Sequence, residues 1–174
     1  MDAGRQVEQW FCEYEKDITN YLVYFTGSLD VEDLVQETFL KAFQSFGHFK
    51  FDANPKTWLI SIARNTAIDF YRKRNLWLIL KEKLVRHSSG KEPAITEEIL
   101  IQKAESARLL EAINKLKNNY RDVVLLRGIA DLSAEETAQV LGWTINKVNV
   151  TFHRAVKKLN MLLKEDEQGD PSFR

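Results

Sequence analysis

The stretch KTWLISIARNTAIDFYRKR, residues 56–74, reads as one amphipathic helix with an unusual outward side. On a wheel of about 100° per residue, Leu59, Ile62, Ala63, Thr66 and Phe70 cluster as the core stripe. The opposite stripe carries Ser61, Asn65, Ile68 and Arg72, flanked by Trp58, Arg64, Asp69 and Tyr71. Such a mixture suits unstacked nucleobases. A ring offers a stacking platform, an amide or carboxylate reads a base edge, and a guanidinium holds phosphate. The preceding loop, FGHFKFDANP, adds Phe49, Lys50 and Phe51, and Asn54 with Pro55 supplies an N-cap and a first-turn start. Taken alone, Trp58 and Ile68 would equally suit packing on a neighbouring helix.

A second candidate site lies near the C-terminus, in LSAEETAQVLGWTINKVNVTFHRAVKKL. Ser133 and Glu136 stand three apart as a capping box that opens a helix, Gly142 closes it, and Thr144 can cap the next. Ala138, Gly142 and Val148 occupy the positions where a helix-turn-helix needs a small residue, a turn residue and a buried β-branched residue. In the second helix Val148, Phe152, Ala155 and Leu159 share one face; Asn146, Val150, His153, Arg154 and Lys157 share the other. Amides and arginine can pair with base edges in a major groove while lysines neutralise phosphate.

The third candidate is DVEDLVQETFLKAFQSF, residues 30–46. Asp30 is placed to cap it, and Val31, Val35, Phe39, Ala42 and Phe46 form its buried stripe. Asp33, Glu37, Leu40, Lys41 and Gln44 point the other way. A leucine among acids fits a protein-docking face, because carboxylates repel a DNA backbone. A plain solvated helix has the same pattern.

The elements that must position these groups are helices. Only seven Gly and three Pro in 174 residues favour an all-α fold over a turn-rich sheet. Helical periodicity runs from Trp10 to Phe25, Val31 to Phe46, Trp58 to Tyr71 and Ile99 to Leu116, with shorter segments to Leu163. The weaker stretch Asn75 to Thr96 contains HSSGKEP, with Pro93 closing it. The expected architecture is two small helical domains, 1–75 and 99–165, joined by a linker over 76–98 and followed by an acidic disordered tail, 166–174. The net charge is zero, yet its distribution is uneven. Met1 to Glu37 holds two basic residues against nine acidic ones, and Thr38 to Lys91 holds eleven basic against three acidic. Ile145 to Lys164 carries five basic residues and no acid. An acidic end, a basic middle and a basic late helix suit two kinds of partner, one of them a polyanion.

These residues support a resemblance to a known family. DVEDLVQETFLKAFQSF and TWLISIARNTAIDFYRKR resemble region 2, and YRDVVLLRGIADLSAEETAQVLGWTINKVNVTFHRAVKKL resembles region 4, of the extracytoplasmic-function sigma factors, the smallest promoter-recognition subunits of bacterial RNA polymerase. The resemblance spans nearly the whole chain in the family's order. It implies that the first domain opens the −10 element and the second reads the −35 element as duplex. It implies docking on the clamp helices of the polymerase β′ subunit through Asp33, Gln36, Glu37, Leu40 and Gln44, and names the β subunit as a further partner. Capture of non-template bases would fall to Phe49, Phe51, Trp58, Asn65 and Asp69, with Ser61 and Ile68 on the same face and backbone contact from Arg64, Arg72, Lys73 and Arg74. The −35 set comprises Ser133, Thr144, Asn146, Lys147, Asn149, Val150, His153, Arg154 and Lys157. Core polymerase, promoter DNA and an anti-sigma factor are the implied partners. Where the family commonly has Leu-Pro before the Tyr-Arg of region 4, this chain has Leu116 and Lys117. Its recognition helix has Asn149, Thr151 and Val156 where extra basic residues are common.

Catalysis finds little support. His48, His87 and His153 are scattered, and HExxH, a phosphate-binding loop and a nucleophile elbow are all missing. No cofactor or metal is expected. Cys12 is the only cysteine, which excludes an internal disulfide. The longest strongly apolar run, Leu76 to Leu80, falls far short of a membrane span, so the expected location is the cytoplasm, with tethering to a membrane through an anti-sigma factor as the variant case. The rival function is a helix-turn-helix regulator that acts on duplex DNA without polymerase.

Overall fold

A computed structural model describes residues 2–51, 53–84 and 104–169. The chain divides into two compact units, residues 1–96 and 97–174. Every regular element among the described residues is helical.

The first unit holds α1 (Ala3–Thr26), α2 (Glu32–Gln44), a 3₁₀ turn (Phe46–His48) and α3 (Pro55–Leu84). Asp2 caps α1 by accepting from the Gly4 N–H at 3.0 Å, and Gly27 ends it in the left-handed conformation, φ 70°. The helix buries Val7, Trp10, Ile18, Tyr21 and Leu22, a stripe at i, i+3 and i+4 spacing. The start of α2 corrects the expected cap. Val31, not Asp30, stands at the N-cap, and no side chain caps the helix. Burial of Val31 fixes the entry, while the Asp30 N–H donates to Ser28 Oγ at 3.1 Å. Glu32 and Asp33 in the first turn complement the helix dipole. Val31, Val35, Phe39 and Ala42 are buried as expected, joined by Leu34 and Thr38, and Phe46 is only half-buried. The Thr38 hydroxyl is satisfied by donating to the Leu34 carbonyl at 2.7 Å.

Asn54 Oδ1 accepts from the Lys56 N–H at 2.9 Å and Pro55 opens α3, as its sequence indicates. The core face of α3 is rotated from the wheel: Leu59, Ile60, Ala63, Thr66 and Ala67 are buried, Ile62 is half-buried and Phe70 is 47% exposed. The helix packs on both α1 and α2, so its buried face is wider than one stripe and is centred between two neighbours. It continues to Leu84, into the stretch expected as linker; residues 85–103, with HSSGKEP, lie outside the described residues.

The second unit holds α4 (Ala104–Asn114), α5 (Asn118–Val124), a π-helical turn (Leu125–Ile129), α6 (Ala134–Leu141) and α7 (Ile145–Gly169). Ile113, Val123, Leu125, Leu126, Val148 and Ala155 are fully buried at its centre. The π turn is tied off by the Leu132 N–H, which donates to the Leu126 carbonyl at 3.0 Å. Beside it the Arg127 guanidinium lies 5.2 Å from the Phe152 ring centroid and donates to the Leu132 carbonyl at 3.2 Å. Of the expected acidic tail, α7 takes in residues 166–169, and 170–174 lie outside the described residues.

Candidate nucleic-acid and protein interfaces

The exposed face of α2 carries Asp33, Gln36, Glu37, Leu40 and Gln44, all solvent-accessible. Leu40 is 50% exposed, and Phe43, one turn on, is equally exposed. Phe43 is absent from the sequence-derived set because the wheel leaves it at the edge of this face, although its place three residues after Leu40 was a usable signal. Lys41 is held inward: its ammonium donates to Thr66 Oγ1 at 3.3 Å and lies 3.8 Å from Glu37. The face therefore presents carboxylates and amides around two apolar side chains, a fit for a basic protein surface.

The loop before α3 is organised by rings. Phe51 is 60% exposed, with its centroid 5.3 Å from Phe49 and 5.8 Å from Phe46, both in edge contact. Phe49 is only 6% exposed, so it backs Phe51 and Trp58 and does not itself face solvent. Trp58 is half-buried against Phe49 at 5.0 Å and Trp10 at 5.9 Å. Packing and presentation thus coexist at Trp58, which meets two rings of the cluster and is still only half-buried. Along α3, Asn65 is exposed and Ser61, Arg64, Ile68 and Asp69 are half-buried. The Ser61 hydroxyl donates to the Trp58 carbonyl at 2.7 Å, and Arg72 lies 3.8 Å from Asp69. Arg72, Lys73 and Arg74 are exposed, and the Tyr71 hydroxyl anchors this turn by donating to the Thr26 carbonyl at 3.1 Å. The surface thus runs from a solvent-facing ring through an amide and a carboxylate to three cations, groups able to stack on, pair with and neutralise a single-stranded nucleic acid.

In the second unit α6 and α7 form the helix-turn-helix. The capping box is closed in both directions: Ser133 Oγ accepts from the Glu136 N–H at 3.1 Å, and Glu136 Oε2 accepts from the Ser133 N–H at 2.7 Å. Gly142 ends α6 at φ 64°, its N–H donating to the Ala138 carbonyl. Ala134, Ala138 and Val148 pack together with Trp143 against them. Thr144 Oγ1 accepts from the Lys147 N–H at 3.2 Å, so its hydroxyl caps α7. The outer face shows Asn146, Lys147, Asn149, Val150, His153, Arg154 and Lys157, all exposed. The Lys147 ammonium rests 4.0 Å from the Trp143 ring centroid. Ile145, 44% exposed in the first turn of α7, adds an apolar group that sequence reasoning omitted. This face pairs amides, an arginine and lysines with two apolar tips, the chemistry of major-groove readout.

Residues 10–76 match the Sigma-70 region 2 family, and residues 106–159 match the Sigma-70, region 4 family. The RNA polymerase sigma factor YlaC of Bacillus subtilis is 34% identical over 174 residues, covering 97% of this chain and 99% of that protein. The ECF RNA polymerase sigma factor SigX of the same organism is 29% identical, over 90% of this chain and 84% of its own length. The chain belongs to the extracytoplasmic-function group of the sigma-70 family. Two solved sigma factor structures share the fold. RpoE from Bartonella quintana, in complex with the anti-sigma factor NepR, superposes with a TM-score of 0.74 at 25% identity, covering 92% of this chain and 98% of that one. CnrH, in complex with the cytosolic domain of CnrY, gives a TM-score of 0.71 at 27% identity over 94% and 90% of the two chains. As a sigma factor the protein is all-helical in its described residues, with no helix among them long and apolar enough to cross a membrane.

Proposed function

We propose that this sigma factor docks on core RNA polymerase through α2, captures extruded −10 bases at Phe51 and along the polar face of α3, and grips −35 duplex with α7. The observation that carries this reading is the pairing in one chain of an exposed ring, mounted on one buried and one half-buried ring, with a basic helix-turn-helix face. Flipping a base costs a few kcal/mol, so the capture surface must offer stacking, which a merely basic helix lacks. Phe51, Trp58, Ser61, Asn65, Ile68 and Asp69 would enclose or read bases; Arg64, Arg72, Lys73 and Arg74 would hold phosphates. Phe49 serves as their support. Asn146, Lys147, Asn149, Val150, His153, Arg154 and Lys157 would face the groove, with Ser133 and Thr144 at helix N-termini where phosphates bind.

The chain contributes specificity to polymerase and no catalysis of its own. It works in the cytoplasm, or at a membrane when held there by an anti-sigma factor, a partner class that RpoE's complex with NepR exemplifies. Gel filtration with core polymerase tests the docking step: co-elution supports it, and independent migration would favour a regulator that binds duplex alone. In holoenzyme, Trp58→Ala should reduce open-complex formation far more than core binding. An equal loss of both would point to a folding defect and count against the capture role.

A further inference from the structure

Trp10 lies on α1, belongs to none of the residue sets assigned above to DNA or polymerase, and is 4% exposed. Its ring centroid stands 4.8 Å from Phe49 in edge contact, 5.7 Å from Phe46 and 5.9 Å from Trp58. Phe46 and Phe49 are in turn the two rings that hold Phe51, at 5.8 and 5.3 Å. Trp10 therefore meets both supports of the exposed ring and the indole beside it. The exit of the same loop is referenced to α1 as well, since the ammonium of Lys56, in the first turn of α3, lies 3.4 Å from the Asp17 carboxylate with only 20% of its side chain exposed. Loop residues 49–51, 53 and 54 lie outside regular helix, and their backbone bonds include one from the Ala53 N–H to the Lys50 carbonyl at 2.8 Å. Ring packing is thus a main constraint on the direction in which Phe51 points. Aromatic pairs prefer edge-to-face or offset arrangements over others, so one ring can set the angle of the next.

We propose that Trp10 is a positioning residue for base capture: from the buried side of α1 it sets the angle at which the Phe51 ring meets an extruded base. The proposal rests on the reading of Phe51 as a capture platform. It goes further by making α1 a rigid reference for the capture loop. An apolar side chain without a ring fills only part of the space and leaves the angle of Phe51 unset.

The test uses full-length protein in holoenzyme with core polymerase, and reads affinity for a single-stranded −10 non-template oligonucleotide, open-complex formation on duplex promoter, and core affinity. Trp10→Leu should weaken oligonucleotide affinity and opening by roughly tenfold, the order of one lost base stack, while core affinity changes less than about twofold. Trp10→Phe, which keeps a ring, should recover most of the loss. The double variant Trp10→Leu with Phe51→Ala should bind no worse than Phe51→Ala alone, because a positioning residue has nothing left to position. Independent multiplication of the two losses would overturn the proposal, as would wild-type opening by Trp10→Leu. If Trp10→Leu folds poorly, Trp10→Met, a longer side chain that also lacks a ring, supplies the coupling in the two Phe51 backgrounds. A Phe51→Ala variant that captures the oligonucleotide normally would instead overturn the capture reading, and the Trp10 proposal with it.

Discussion

Gly142 allows a prediction in which two effects separate. A Cβ built there meets no heavy atom within 4 Å, so Gly142→Ala introduces no clash. What it meets is the backbone: at φ 64° the residue is in the left-handed region, which costs an L-residue about 1–2 kcal/mol. Reduced freedom of the unfolded chain returns about 0.4–1 kcal/mol, leaving a net loss of about 1 kcal/mol. Because the chain has two compact units, a global melt is a poor measure; amide hydrogen exchange across α6 and the first turns of α7 reads the local unit. Exchange there should accelerate about fivefold, the Boltzmann factor for about 1 kcal/mol, and remain unchanged in α1 and α2. Gly142→Asn should cost less, since Asn tolerates this conformation, and Gly142→Val more. Holoenzyme affinity for −35 duplex should stay within about twofold for Gly142→Ala, since the folded population still dominates. Unchanged or slower exchange, or Asn worse than Val, would refute the argument that left-handed strain, with no steric term, governs this turn.

Other outcomes follow from the same geometry. Ser133→Ala removes the acceptor for the Glu136 N–H and should destabilise α6 by about 1 kcal/mol, read by the same exchange experiment, with Ser133→Asp close to wild type. Leu40 and Phe43 each keep half their surface in water, so docking can bury the rest; Leu40→Ala and Phe43→Ala should each weaken core binding about fivefold in a fluorescence titration, with −35 duplex binding intact. Arg154→Ala should lower −35 affinity about tenfold without changing core affinity, and unchanged DNA affinity would remove Arg154 from the recognition face.

The helix-turn-helix was legible in detail because its signals are local. A capping box spans three residues, Gly142 marks one backbone conformation, and Ala138 and Val148 pack across a single turn. The first unit was legible in its parts and not in its assembly. Phe70 reads as core on a wheel because a wheel assumes one buried stripe, whereas α3 meets two helices and turns Ile60 and Ala67 inward in its place. Asp30 reads as a cap because its side chain suits one, yet the burial of Val31 determines where α2 begins. Phe49 and Phe51 are two residues apart and identical in type, and the packing of Phe49 against Trp58 and against Trp10, some forty residues earlier, leaves one buried and the other exposed. Phe43 and Ile145 carry exposed apolar surface that composition cannot distinguish from core.

The contact between Lys147 and Trp143 bears on how the recognition helix would meet DNA. A free lysine holds about 2 kcal/mol of rotamer entropy, much of it lost when the ammonium settles on a phosphate. Here the indole face already confines the butyl chain near the start of α7, so part of that ordering is completed during folding. A phosphate contact made by Lys147 would therefore start from a side chain that has already given up part of its rotational freedom.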